Sequence, residues 1–91
     1  MDTAKELAHK LIKQTPAACV NILSPMTSVY EWEGNVQEES EIPLLIKACK
    51  TAFEEVETAI KSAHPYDTPC IISFNTDNVS SDFDKWILDG R

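Results

Sequence analysis

An alternation of apolar and polar positions runs through residues 18–50 and predicts a long β-hairpin. Two runs rich in valine, isoleucine, leucine and aromatic residues flank Glu33-Gly34-Asn35, where glycine next to asparagine suits the positive φ angles of a tight strand reversal. Apolar residues occur on both faces of the second arm, so both faces must be covered. The most regular apolar positions are Val20 and Ile22 on the first arm and Ile42, Leu44, Ile46 and Ala48 on the second.

Two prolines mark irregular points on this hairpin. Ser24-Pro25 interrupts the alternation of the first arm, which resumes at Met26, so we expect a bulge or a bend at Pro25. Pro43 has no main-chain N–H to donate, so we expect it at a sheet edge, at a bulge, or beside a partner that needs no hydrogen bond there.

Helical patterns flank the hairpin. Apolar residues spaced by three and four positions predict one helix over 3–14 and another over 51–64. In both, a threonine three residues before a glutamate predicts a capping box, and a proline follows the last turn. A short third helix, capped by Ser80 or Ser81, carries Phe83, Trp86 and Ile87.

A strand is predicted over 69–74, where Cys70, Ile72 and Phe74 share one face. The element order is therefore helix, strand, strand, helix, strand, helix. This order predicts an α+β fold, specifically a ferredoxin-like α/β sandwich with an antiparallel sheet whose first strand is absent from this chain.

The missing first strand would be central in such a sheet, so its absence leaves main-chain groups unpaired. Three explanations are open: a strand upstream of Met1 in the natural protein, a shift of the residues after Ser73, or an edge lent by a neighbouring subunit. We favour the upstream strand, because the first helix keeps the cap and the apolar stripe that it needs to pack on a complete sheet.

Length and charge restrict the class of protein. The 91 residues are enough for one domain with its own core. The balance of 43% hydrophobic and 25% charged residues is typical of globular proteins, and no apolar run is long enough to cross a membrane. The net charge of −7 argues against nucleic acid and membrane surfaces as partners and favours cations.

The cysteines and the motif content indicate a reducing, cytoplasmic protein without catalytic activity. Cys19, Cys49 and Cys70 are odd in number, lack metal-motif spacing and fall in apolar runs, so we expect buried, reduced and unreactive thiols. A helical pattern begins directly after Met1 and leaves no room for a signal peptide, although an upstream segment would make an organellar location possible. With two glycines and no triad-like spacing, we expect neither a phosphate loop nor a catalytic triad.

The chain resembles the CutA family of divalent-cation tolerance proteins in motifs spread over nearly its whole length. The motifs are the segments 17–22, 28–34, 39–47 and 64–69, the last reading His-Pro-Tyr-Asp-Thr-Pro, and the pair Trp86-Ile87. The resemblance implies a single ferredoxin-like domain over 1–91 and a tight homotrimer formed through the long hairpin strands. It also implies a fold shared with the PII signalling proteins and a link to copper and other divalent metals, with no accepted catalytic activity.

The same resemblance points to candidate metal ligands. Some members have a proposed copper-binding cysteine in the first strand, a histidine directly before His-Pro-Tyr and an acidic residue directly after Thr-Pro. Nothing in this chain corresponds to the first position, and the other two are Ala63 and Cys70. The metal candidates here are therefore His64 and Cys70, with copper or another divalent cation as the expected ion. The simpler interpretation of His64 is a cation that favours the end of a helix.

A ligand cleft is the second candidate site. It would be formed by Tyr30, Trp32, Lys47, His64 and Tyr66, and it would serve either a metal-tolerance protein or a PII-like small-ligand sensor or scaffolding module. The simpler interpretation of the hairpin aromatics is that they anchor a subunit interface. Lys47 has two interpretations, an anion site or an ion pair with Glu39 or Glu41 of a neighbouring copy, because a mostly buried lysine needs a partner.

Overall fold

The computed structural model describes residues 2–63 and 70–89. Within these residues it contains three α-helices and two antiparallel two-stranded ladders, which confirms the predicted α+β class. The helices are α1 (Asp2–Gln14), α2 (Phe53–Ala63) and α3 (Ser81–Asp89). The strands are β1 (Cys19–Ile22), β2 (Met26–Trp32), β3 (Asn35–Glu41) and β4 (Leu44–Lys47).

The hydrophobic core lies between the β1–β4 ladder and helices α1 and α2. Val20 of β1 is opposite Ile46 of β4. Both pack against a cluster that includes Leu11 of α1, which is fully buried, and Val56 and Ile60 of α2. The apolar face predicted for this half of the hairpin is therefore the face that the helices cover.

Helix α1 ends where the sequence predicts. The Thr15 N–H and hydroxyl both donate to the Leu11 carbonyl, at 3.0 and 2.6 Å, and the hydroxyl accepts a hydrogen bond from the Ala17 N–H at 3.1 Å. These bonds close the last turn before Pro16. The start differs from the prediction, since the helix already includes Asp2 and Thr3 is not its cap.

Helix α2 also starts without the predicted capping box. A 3-10 turn, Lys50–Ala52, leads into the helix, and its N-cap residue Cys49 makes no side-chain capping hydrogen bond. The Thr51 hydroxyl lies instead 3.4 Å from the Cys49 sulfur. A 3-10 turn is a common way to enter a helix, so this chain reaches α2 through the turn and not through a threonine cap.

The β2–β3 ladder forms the outer half of the hairpin, and Glu33 and Gly34 make its two-residue turn, with φ angles of 51° and 82°. The turn is confirmed, but its positive φ angles fall one residue earlier than expected, because Asn35 already belongs to β3. Breaks at 23–25 and 42–43 separate the two ladders, as the two prolines predict. The Leu23 N–H still donates to the Pro43 carbonyl at 3.0 Å across the break.

The strand predicted over 69–74 is absent from its described part, residues 70–74, and this prediction was wrong. Ile72 and Phe74 are 67% and 86% exposed. The side-chain pattern of a strand is present, but no described strand pairs with the segment, and an extended chain without a ladder leaves its main-chain groups unpaired. The helix predicted after Ser80 is confirmed as α3, and the Asp84 N–H donates to the Ser80 carbonyl at 2.9 Å.

Candidate functional site

Three of the residues predicted to form one ligand cleft are described by the structure, and they lie toward opposite ends of the hairpin. Trp32 is the last residue of β2, and Tyr30 is two residues before it. Lys47 ends β4 and is opposite Cys19, the first residue of β1. Tyr30 lies eleven positions after Cys19 along the first arm, a span of up to about 36 Å in an extended strand.

A cleft with both Lys47 and Tyr30 can therefore not form within one chain. The two ladders keep the two ends apart, although their register shifts by one residue across the break at 23–25. His64 and Tyr66, the other two predicted members, lie outside the described residues.

Lys47 has aromatic neighbours that the sequence did not predict. Its ammonium lies 5.5 Å from the centre of the Phe83 ring, within the range of a cation–π contact. The rings of Phe83 and Trp86 stack at 5.8 Å between centroids with an interplanar angle of 17°. Because Lys47 is on the face opposite to Ile46, α3 contacts the side of the β1–β4 ladder that α1 and α2 leave open.

The carboxylates of the outer hairpin form an acidic surface. Residues 19–46 contain no lysine, arginine or histidine. Their acidic residues are Glu31, Glu33, Glu38, Glu39 and Glu41, all exposed. The register places Glu39 and Glu41 on the face of Tyr30, whereas Glu38 and Glu31 share the other face. The two carboxylates on each face of the ladder attract hard divalent cations. They supply only a few of the oxygen ligands that such ions require.

The metal candidates are only partly described. Cys70 is exposed, which contradicts the expectation that all three thiols are buried, and it follows directly after the undescribed residues that include His64. Cys19 and Cys49 are half-buried, and the Cys19 thiol lies 3.9 Å from the Asn21 side-chain oxygen. In the described part of the chain no group of three or more histidine, cysteine, aspartate or glutamate side chains is placed to hold a metal.

Surface hollows lie away from the predicted site. One, of about 530 Å³, is lined by α1 residues that include Lys5, His9 and Lys13, and another of about 440 Å³ lies between α1 and α2. Neither contains a predicted ligand residue. Among the described helices, none is long and apolar enough to cross a membrane.

Comparison with known proteins places the chain in one family. The family model of the CutA1 divalent ion tolerance protein matches residues 1–90. The divalent-cation tolerance protein CutA of Pyrococcus horikoshii is 34% identical over 88 residues, covering 97% of this chain and 85% of the relative. The chloroplastic protein CutA of Arabidopsis thaliana is 36% identical over 86 residues, covering 94% of this chain and 47% of the relative.

Solved structures agree with the sequence comparison. The structure of the periplasmic divalent cation tolerance protein CutA from Archaeoglobus fulgidus matches with a TM-score of 0.93 at 32% identity, covering 99% of this chain and 87% of that one. The family model, the sequence relatives and the solved structures all identify the same family, and they confirm the resemblance found in the motifs. The chain belongs to the CutA1 family of divalent ion tolerance proteins.

Proposed function

We propose that the chain assembles as a homotrimer through its outer hairpin and binds divalent cations, copper among them, without catalysing a reaction. The observation that carries this proposal is the outer hairpin itself, which is apolar, acidic and uncovered. Val36 and Trp32 are 75% and 61% exposed, and both ladder faces carry glutamates without a basic residue. An isolated two-stranded hairpin is marginally stable in water, so this one needs a cover.

A second and a third copy supply that cover in the proposed assembly. Burying large apolar side chains on the hairpin removes from water a surface that monomeric proteins rarely expose. Joining copies through the hairpin also brings the Trp32 end of one copy toward the Lys47 end of another. The trimer therefore provides the shared cleft that a single chain cannot form.

The proposed metal donors are the Cys70 thiolate and the His64 imidazole. Sulfur and nitrogen ligands suit copper and zinc, whereas the hairpin carboxylates suit weak, non-specific cation attraction. Each chain would supply two donor atoms, which is too few to fill the coordination sphere of the metal ion. Water molecules, or donors from the other copies in the trimer, would complete it. The three free cysteines also fit a reducing compartment, and we propose a cytoplasmic location, which cell fractionation would test.

Metal titration of the assembled protein tests the proposal. Copper or zinc should bind at a fixed stoichiometry, and the affinity should fall at least tenfold in His64→Ala and in Cys70→Ser. His9→Ala is the matched control, since His9 is an exposed histidine on α1, and it should bind as the parent does. Binding that is weak and unsaturable, or that survives both ligand substitutions, would contradict the site, and light scattering at the monomer mass would contradict the trimer.

A second candidate function, binding of a small anionic ligand, is supported by Lys47. Within the described residues no carboxylate lies within 4 Å of its ammonium, and the one ion pair there joins Lys61 to Glu57. An ammonium without a carboxylate partner beside exposed aromatic rings suits an anion with an apolar body. Lys47→Met should then abolish binding of such a ligand while Lys50→Met preserves it, and neither should affect copper.

A further inference from the structure

The solvent side of helix α1 concentrates basic charge on an otherwise acidic chain. Three of the eight lysine and arginine residues fall within nine positions of this helix. They are Lys5, Lys10 and Lys13, and together with His9 they line an open hollow of about 530 Å³, here called the basic face. Glu6 lines the same hollow four residues before Lys10, yet the one ion pair among the described residues is on α2. The lysines of the basic face are therefore free to pair with carboxylates of a partner.

An acidic surface adjoins the basic face. Glu54 and Glu55 line a second hollow, of about 440 Å³, between α1 and α2, and they are called the acidic face below. Both side chains are exposed, and neither belongs to an ion pair within the described residues. Gln14 lines both hollows, so the two faces meet at the C-terminal end of α1. The helical layer thus presents opposite charges side by side.

Helix dipoles account for only part of this arrangement. Lys13 is in the last turn of α1, and Glu54 and Glu55 are in the first turn of α2, where each sign of charge is favoured. Lys5, however, is near the N-terminal end of α1, where a cation is disfavoured. The eight residues from Lys5 to Lys13 span about 12 Å of helix. The basic face therefore extends well beyond the reach of the dipole at the end of α1.

We propose that the basic and acidic faces join two copies of the chain, helical layer against helical layer, about a two-fold axis near Gln14. In a two-fold contact the same patch serves both subunits, so every pair of residues that meets does so twice. The axis brings Lys10 and Lys13 of one copy toward Glu54 and Glu55 of the other. A second copy is the partner because it carries both of the charges that the surface requires, in adjoining positions.

This contact goes beyond the proposed function and depends neither on the metal site nor on the trimer. It uses the solvent side of α1 and α2, whereas their apolar sides pack on the β1–β4 ladder and the outer hairpin lies elsewhere. The net charge of −7 opposes association at a distance, but at physiological salt charges more than about 8 Å apart are largely screened. Surface ion pairs are individually weak, so the association should be weak and reversible.

Charge reversal in complementary variants tests the pairing. Sedimentation of the intact protein at concentrations up to about 1 mM should show the mass of the hairpin assembly doubling. Lys10→Glu with Lys13→Glu should weaken this step at least about tenfold, because the two-fold axis makes each lost contact count twice. Glu54→Lys with Glu55→Lys should weaken it as much. An equal mixture of the two double variants should associate again, because each then meets the opposite charge on both faces.

Two control variants change the net charge equally but elsewhere. Lys50→Glu with Lys85→Glu matches the first double variant, and Asp77→Lys with Asp89→Lys matches the second. All four residues are exposed and outside both faces. Both controls should associate within about twofold of the parent, because charges outside the contact are screened.

The reversed variants also place charges at helix ends where those charges are disfavoured, so thermal unfolding must show that each is folded. If a reversed pair does not fold, Glu54→Gln with Glu55→Gln and Lys10→Gln with Lys13→Gln replace them. These neutral pairs remove the attraction without adding repulsion, so each should still weaken the doubling, by less than the reversed pairs.

Four results would overturn the proposal. A mass that never doubles would show that the helical layer is simply solvated. Equal losses in the controls and the reversed pairs would show that net charge, and not these faces, governs association. A loss with the basic face reversed but none with the acidic face reversed would show that the lysines meet another acidic surface, such as the outer hairpin. Failure of the mixture to associate would show that the two faces do not meet each other.

Discussion

The inner and outer halves of the hairpin share one sequence pattern but have opposite environments. In β1 and β4, Val20 and Ile46 pack under α1 and α2. In β2 and β3, Trp32 and Val36 are mostly exposed. Alternation of apolar and polar residues therefore specifies a strand with a face to be covered, and it does not specify what covers it.

The two halves also differ in charge. Every acidic residue of the hairpin belongs to the outer half or its turn, and the only basic residue of the four strands, Lys47, is at the inner end. The inner half therefore packs its apolar residues into the core of the same chain. The outer half combines apolar surface with like charges, and its large apolar side chains stay mostly exposed within the described part of the chain.

The largest expected effect is in the inner half, at Leu11. Leu11→Ala should destabilise the fold by about 2 to 5 kcal/mol, because it removes buried atoms and leaves a cavity in the middle of the core cluster. Denaturant unfolding measures the loss. Leu88→Ala is the control, since Leu88 is 61% exposed on α3. A loss at Leu11 no larger than at Leu88 would show that the core is not where the structure places it.

The second-largest expected effect is on assembly, and it concerns Trp32 in the outer half. Trp32→Ala should weaken assembly by about 2 kcal/mol or more if Trp32 anchors a subunit interface. Within one chain the same substitution should cost little, because the side chain is mostly exposed. Sedimentation over a range of concentrations separates the two contributions. Unchanged assembly together with a large loss of monomer stability would reverse the distinction between the two halves.

Sequence reasoning recovered the elements that depend on side-chain periodicity. The three helices, the hairpin and its turn follow from spacings within one segment, which the chain itself determines. It failed for residues 70–74, because a strand also depends on a neighbour that no local pattern reports. The capping boxes at Thr3 and Thr51 failed for a related reason, since a short motif cannot show where a helix begins.

The candidate site was less predictable than the fold. Register alone could have shown that Tyr30 and Lys47 are far apart in one chain, because a hairpin places Lys47 opposite Cys19. The stacking of Phe83 on Trp86 has a sequence signal in their spacing of three residues on a helix. The contact between Phe83 and Lys47 has no signal in the sequence, because it depends on how α3 packs after an irregular connection.

A smaller effect is expected at the turn that ends the outer half. Gly34→Ala should destabilise the hairpin by about 1 to 2 kcal/mol, because Gly34 has φ of 82° and a side chain disfavours that conformation. Crowding contributes nothing, as no heavy atom lies within 4 Å of the position of an added Cβ. Gly34→Asn should recover part of the loss, since asparagine tolerates positive φ. Equal losses for both variants would mean that the backbone angle is not the cause.

The smallest expected effect is the change in stability when a surface glutamate is neutralised, and it has opposite signs in the outer hairpin and in α2. Glu39→Gln in the outer half should stabilise the chain by less than about 0.5 kcal/mol, because it relieves repulsion from Glu41 on the same face. Glu57→Gln in α2 should destabilise it by a similarly small amount, since Glu57 lies 3.3 Å from the Lys61 ammonium. Both effects should fade in high salt, which screens exposed charges. Thermal unfolding of the two variants at low and high salt measures this, and a destabilising Glu39→Gln would show that the hairpin carboxylates already have cationic partners.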